Sequence, residues 1–260
     1  CHMILHLSDL HFGTEKPECL EAIRHFCQTH PLEAVVISGD LTQRARLGQF
    51  FACKKFLDQL NTPYMVIPGN HDIPLYHLWN RLFNPFTRYQ IFFGELEPIF
   101  ETENFYLIGV NSIRRRYHTK GHLSLEQIQR IDLQLAQAPA SKLKIIVSHQ
   151  PFYVPFQNKR GFKDSPLMAK IALEAWAEHG LFALLHGHLH QPAIYDLNQM
   201  FGLGVDHPVY DVHAGTSASN RLHKDEPNSF NLIDATGKIS QYLFDEVAQA
   251  FMLKADLPNK

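Results

Sequence analysis

Six short apolar runs rich in β-branched residues recur along this 260-residue chain, and five of them end in polar residues of one chemical kind. Met3–Leu7, Ala34–Ile37, Tyr64–Ile67, Phe105–Val110, Leu143–Val147 and Leu181–Leu185 read as strands buried on both faces, because their apolar residues are continuous. Ser8-Asp9-Leu10-His11 follows the first, Gly39-Asp40 the second and Gly69-Asn70-His71-Asp72 the third, while Ser148-His149 and His186-Gly187-His188-Leu189-His190 follow the last two. Between the early runs, Cys19, Ile23, Phe26 and Cys27 form an apolar stripe on a helix over Pro17–Thr29. Phe50, Cys53, Phe56, Leu57 and Leu60 form another over Ala45–Leu60. Ser124–Ala138 begins with Ser124 as N-cap and Gln127 completing a capping box, and Pro166–Gly180 has Pro at its start and Gly past its end. Strands alternating with helices predict βαβ units and a mostly parallel sheet. In such a sheet all five clusters lie at one edge, where α/β proteins bind ligands.

After residue 190 the pattern changes. Ala193–Leu197, Val209–His213, Ser229–Ile233 and Ile239–Phe244 are strand candidates separated by turns, which predicts antiparallel pairing. Residues 74–102 hold Trp79, Phe83, Phe86, Tyr89, Phe92 and Phe93 and read as a helical insertion, either a cap over a site or an aromatic piece of core. No repeat or linker divides the chain, so one domain is expected over residues 3–260. Cys1-His2 ahead of Met3 reads as an expression remnant and is set aside.

Composition narrows the function classes. Apolar residues make up 45% and charged ones 19%, a globular balance. A formal net charge of -2 supplies no field for duplex DNA, so nucleic-acid binding is disfavoured. No apolar run reaches membrane-span length, and no basic stretch precedes a long apolar one at the start, so neither a span nor a signal peptide is expected. Cys19, Cys27 and Cys53 lack CxxC spacing and read as buried thiols, which together with the missing signal predicts a cytoplasmic location.

Imidazole and carboxylate together suit zinc, iron or manganese, and the absence of a thiolate argues against a closed structural zinc site. Asp9 and His11, two apart in an extended segment, would point to the same side, as would His188 and His190. Asp9, His11, Asp40, Asn70, His149, His188 and His190 are too many ligands for one ion. Two ions with Asp40 bridging give four each. Two divalent ions carry +4 and the two aspartates -2, leaving about +2, a surplus that suits a phosphate ester. A lone DxH or HxH is ordinary, Asp40 alone could cap a helix, and Gly-Asn is a common turn pair. Their joint occurrence at successive strand ends is what carries the reading.

The set Asp9-x-His11, Gly39-Asp40, Gly69-Asn70-His71-Asp72, His149 and Gly187-His188-x-His190 resembles the five-block signature of calcineurin-like metallophosphoesterases. Gly39-Asp40-Leu41-Thr42-Gln43-Arg44 and Ser148-His149-Gln150-Pro151-Phe152 are similar to the bacterial class III cyclic-nucleotide phosphodiesterases. The resemblance implies a four-layer α/β/β/α sandwich with mixed sheets, the late antiparallel strands building part of a second sheet. It implies that Asp9, His11 and His190 hold one divalent ion, that Asn70, His149 and His188 hold the other, and that Asp40 bridges. Manganese, iron, zinc and nickel all suit such ligands. His71 matches the position that contacts phosphate and protonates the leaving group, with Asp72 placed to orient it. The family often has Asp or Arg where this chain has Gln43, and Arg44 and Arg46 stand close enough to substitute.

The expected activity is a phosphodiesterase acting on small phosphate esters, cyclic nucleotides foremost. The expected mechanism is in-line attack by a hydroxide bridging the two ions, with His71 as proton donor. A phosphomonoesterase or nuclease on the same core is the alternative enzyme. A scaffold of the same fold is the alternative of another class, and it would be marked by a missing ligand or a missing His after the Asn. His186 reads as support for its neighbours. Arg114-Arg115-Arg116, with His118 and His122, reads as a solvated loop, and the 114–122 and 153–165 segments are expected to shape substrate choice with the insertion. Gly215–Arg221 and Ser229–Leu232 resemble a segment common in this branch.

Overall fold

The computed structural model describes residues 2–152 and 165–254, with side chains described outside 165–169. Its first sheet begins with β1 (Met3–Leu7), β2 (Ala34–Ile37) and β3 (Tyr64–Val66), joined in parallel by α1 (Pro17–Thr29) and α2 (Leu47–Asp58). Then come α3 (Leu78–Phe83), α4 (Thr87–Phe93) and a short strand β4 (Ile99–Glu101). The second sheet is built on β5 (Phe105–Gly109), β6 (Leu143–Val147) and β7 (Leu181–His186), connected by α5 (Leu125–Gln137) and α6 (Ser165–Ala177). The chain continues through β8 (Ala193–Asp196), α7 (Leu197–Phe201), β9 (Tyr210–His213), β10 (Ser229–Asp234), β11 (Ile239–Asp245) and β12 (Ala250–Leu253).

The strands form two six-stranded sheets, ordered β12-β11-β10-β1-β2-β3 and β4-β5-β6-β7-β9-β8. This corrects the single parallel sheet that strand–helix alternation predicts, and bears out the four-layer sandwich. Period-two burial shows why two sheets form. In β2, Ala34 and Val36 face the second sheet while Val35 and Ile37 face α1 and α2. In β6, Ile145 and Val147 face the first sheet while Ile146 faces α5 and α6. Strands buried on both faces need two covers each, and helix plus opposing sheet supply them. The late strands divide: β8 and β9 extend the second sheet, whereas β10 pairs antiparallel with β1 and carries β11 and β12 into the first.

Ser124 accepts from Gln127 N and its own N–H is taken by the Gln127 side chain, the expected capping box on α5. α2 starts later than its apolar pattern, because Ala45 adopts φ 54° and its N–H is held by Thr42 Oγ1. The insertion splits in character. Tyr89, Phe92 and Phe93 on α4 pack on Phe50 of α2 as core, while Trp79 and Phe83 on α3 are exposed. Cys19, Cys27 and Cys53 are buried free thiols, and burial pushes Cys19 and Cys27 up to about 12. No helix among the described residues is long and apolar enough to cross a membrane. Residues 153–164 of the expected substrate-shaping segment lie outside the described residues.

Candidate metal centre

The C-terminal ends of β1, β2, β3, β6 and β7 meet at one edge of the sandwich, across both sheets. The segments after β1 and β2 run on side by side, with Asp9 N donating to Gly39 O (3.1 Å) and His11 N to Asp40 O (3.0 Å). Gly187 N donates to His149 O (3.1 Å), joining the ends of β6 and β7. Two glycines are there because neighbouring atoms leave no room for a side chain. A Cβ on Gly69 would run into Asp40, and one on Gly187 into Ser8 and Asp9.

Asp9 and His11 are not in an extended segment, as their spacing predicted. Their φ values are 53° and 45°, and those of His188 and His190 are 73° and 57°. Each pair still converges, because the left-handed residues turn the chain while main-chain bonds to the neighbouring strand end hold it. All seven candidate ligands meet. Asp9, His11, Asp40 and His190 form one group of donor atoms; Asp40, His149 and His188 form a second, sharing Asp40. Asn70 joins the second, its Oδ1 lying 3.0 Å from His149 Nε2 and 3.1 Å from His188 Nδ1.

The hydrogen bonds on the outer side of these residues decide what faces inward. His149 Nδ1 donates to Ser38 O (2.8 Å) and His190 Nδ1 to Arg221 O (2.7 Å), so each turns its Nε2 toward the site. Asp9 Oδ2 accepts from Ser8 Oγ and from His188 N, leaving Oδ1 3.1 Å from His190 Nε2. Asp40 Oδ1 accepts from His71 N (2.9 Å), and Oδ2 lies 3.5 Å from His11 Nε2 and 3.3 Å from His149 Nε2. Asn70 donates its amide to His118 O (2.9 Å), which turns its oxygen inward. His11 Nε2 and His190 Nε2 stand 3.1 Å apart. Acceptors packed against acceptors repel one another unless positive charge lies among them, and this donor set fits divalent cations.

The field points the same way. Burial opposes ionisation of both aspartates, yet the imidazoles, His190 beside Asp9 and His149 beside Asp40, hold both carboxyls below the usual range. Burial also opposes charge on His149, but Asp40 outweighs it and lifts that imidazole to about 9. His188 is driven down to about 3 by burial and then by His149, so it is a neutral donor.

The site opens into a pocket of about 340 Å³ lined by Asp40, Asn70, His71, His188, His190 and Arg221, among others. His71 Nδ1 donates to Gln43 O (2.9 Å), and its Nε2 lies 3.2 Å from Arg221 Nη1. Its orientation therefore comes from Gln43, not from Asp72 as expected. The Asp72 carboxylate accepts instead from Gly69 N, Leu41 N, Thr42 N and Thr42 Oγ1, tying the turns after β2 and β3 together. Burial and the charge of Asp40 raise this carboxyl to about 7. His186 stands behind the ligands, with Nδ1 3.2 Å from Ser148 Oγ and Nε2 2.5 Å from Asp211 Oδ1. Asp211 also takes His213 (2.8 Å).

Among the arginines weighed from sequence, Arg44 lies over the Tyr76 ring and Arg46 is exposed at the start of α2. Arg114 braces its own loop through Asn111 O, Ile113 O and Gln127, while Arg115 donates to Leu82 O. The residue that sequence reasoning missed is Arg221. Its only signal was its place in the Gly215–Arg221 segment.

Comparison with known proteins agrees with this geometry. Over 164 residues the chain is 25% identical to a probable cyclic nucleotide phosphodiesterase of Vesicomyosocius okutanii, covering 62% of this chain and 64% of that protein. It thus spans less than two thirds of that relative's length. It is 26% identical over 209 residues to another so named from Synechococcus, covering 74% of each. Over 183 residues it is 24% identical to a probable glycerophosphodiester phosphodiesterase of Arcobacter nitrofigilis, covering 69% and 64%. The fold resembles purple acid phosphatase from yellow lupin seeds, with TM-score 0.68 at 14% identity, covering 100% of this chain and 52% of that one. The family model for calcineurin-like phosphoesterases matches residues 2–192, the greater part of the chain and all five polar clusters, and the chain belongs to that family.

Proposed function

We propose that this protein is a phosphodiesterase working with two divalent ions and that cyclic nucleotides are its leading substrate class. The observation that carries the reading is the division of seven inward-facing donors into two groups sharing Asp40, beneath a pocket that also holds His71. In this reading Asp9, His11 and His190 hold one ion, Asn70, His149 and His188 the other, and Asp40 serves both. When bound, two such ions supply Lewis-acid stabilisation of a phosphoryl group and bring the pKa of water toward 7. Manganese, iron, zinc and nickel all accept these donors.

The chain's own residues do the rest. Asn70, a neutral amide, lets its ion keep more positive charge than a carboxylate would. His71 is held by Gln43 O at Nδ1 and presents Nε2 to the pocket, where it passes a proton taken up from solvent to the departing alkoxide. Asp72 fixes the turn that carries Asn70 and His71. The diester preference and the nucleotide class are supported by the names of the relatives from Vesicomyosocius and Synechococcus. A scaffold role lacks the mark it requires, since neither a ligand nor His71 is missing.

A panel of bis(p-nitrophenyl) phosphate, p-nitrophenyl phosphate, cyclic nucleotides and single-stranded DNA, each with Mn²⁺, tests the reading. Cleavage of diesters over the monoester is expected, with cyclic nucleotides the best natural substrate; preference for the monoester would overturn the phosphodiesterase assignment. In the same assay His71→Ala should keep its metal and lose about 10²- to 10⁴-fold in kcat on a diester with a poor leaving group. Unchanged turnover, or metal lost with the histidine, would contradict its role.

A further inference from the structure

We infer that Arg221 is the side chain that grips the non-bridging oxygens of the substrate's phosphate, an inference that rests on the phosphoesterase reading above. Among the described residues lining the pocket, Arg221 is the one with a fixed positive charge. Its Nη1 is shared between Gln43 Oε1 at 3.1 Å and His71 Nε2 at 3.2 Å, both neutral acceptors. Among the described residues it has no carboxylate within ion-pair distance, and its Nε and Nη2 make no hydrogen bond. A guanidinium offers five donors in a fork that matches two phosphate oxygens, and here most of that fork is unspent beside the candidate metal centre.

The backbone that carries it is fixed to the site itself. Arg221 O accepts from His190 Nδ1 (2.7 Å), so the same residue orients a candidate ligand through its main chain and reaches the pocket with its side chain. Arg221 N donates to Ser219 Oγ (2.9 Å), and Asn228 Nδ2 holds Thr216 O and Ser219 O. Thr216 Oγ1 in turn donates to Asp9 O (2.7 Å). Gln43 completes the argument. A carboxylate there would neutralise the guanidinium, whereas the amide steers it and leaves its charge for an anion. When phosphate takes the guanidinium, its Nη1 is drawn from His71 Nε2, and that nitrogen is left facing the substrate.

The test uses the Mn²⁺-loaded full chain and three readouts: calorimetric binding of inorganic phosphate, KM and kcat on bis(p-nitrophenyl) phosphate, and manganese content by elemental analysis. Arg221→Ala should raise both the phosphate Kd and KM about 10- to 100-fold with manganese content unchanged, because the contact to His190 is made by the main chain. Arg221→Lys should fall between, restoring charge without the fork. Phosphate affinity and KM within twofold of the parent in Arg221→Ala would overturn the inference, as would loss of manganese, which would reduce Arg221 to a support for His190. A parent protein that binds manganese but neither phosphate nor any diester would overturn the phosphoesterase reading as well, and that result is distinct from a working parent with indifferent variants.

Discussion

Five of the seven candidate ligands, Asp9, His11, Asp40, His188 and His190, take φ between 45° and 73°. For an L side chain that region costs roughly 1–2 kcal/mol per residue, and such strain persists only where surrounding bonds over-determine it. The identities of these residues were legible in the sequence; their backbone conformation was not, since spacing of two fits a strand equally well. Gln43 and Arg221 were illegible as a pair because they lie 178 positions apart. Behind the site, His6 carries a separate consequence. It sits between Ser38 Oγ (2.9 Å) and Asn231 Nδ2 (3.2 Å), and burial, helped by His186, lowers its pKa to about 3. A depressed folded pKa means that the unfolded chain takes up the proton first, so this stability is complete above pH 6.5 and drains away as pH falls toward 3. Between pH 7.5 and pH 5 the loss should be about 2 kcal/mol. Urea unfolding at the two pH values should show that extra loss in the parent and not in His6→Gln; equal losses would contradict the assignment.

At the scale of elements, the segment from Ala214 to Asn228 joins the first sheet to the ligands. Ser217 N donates to Ser8 O, Thr216 reaches Asp9, Arg221 reaches His190, and Lys16 Nζ closes the network by donating to Asn228 Oδ1. Asn228 is buried at its centre. Asn228→Ala leaves Ser219 O without its donor and Thr216 O with Ser229 N alone, and should cost about 2–3 kcal/mol in urea unfolding, with weaker manganese binding by calorimetry. Full stability with parental metal affinity would show that the segment is not what holds the site. Strands and helices of clear period were readable element by element, and α1 and β1 fall where their apolar patterns put them. Pairing was not. The partnership of β1 with β10 joins residues more than 200 positions apart, and alternation says which faces are buried, never against which strand. β4 and β12 are short outermost strands with too few residues to show a period.

At the scale of the whole molecule, the described residues form two sheets covered by two helical layers, with three apolar interfaces and one polar edge. Its central apolar layer, containing Ile4, Val36, Leu107, Ile145 and Leu185, locks the sheets together, so strand ends from both halves are held in a single register. That is what lets ligands from residues 9 to 190 meet on short segments that leave the ends of the strands. The fold class followed from the resemblance, whereas strand–helix alternation alone pointed to one sheet. The reason is physical: a strand buried on both faces has the same composition whether a helix or a second sheet covers it. The measurement that bears most directly on this account is an anomalous-scattering map from crystals grown with Mn²⁺. It should show two manganese peaks per chain, one among Asp9, His11 and His190, the other among Asn70, His149 and His188, with Asp40 between them. A single peak, or manganese elsewhere on the molecule with these side chains turned from one another, would contradict it.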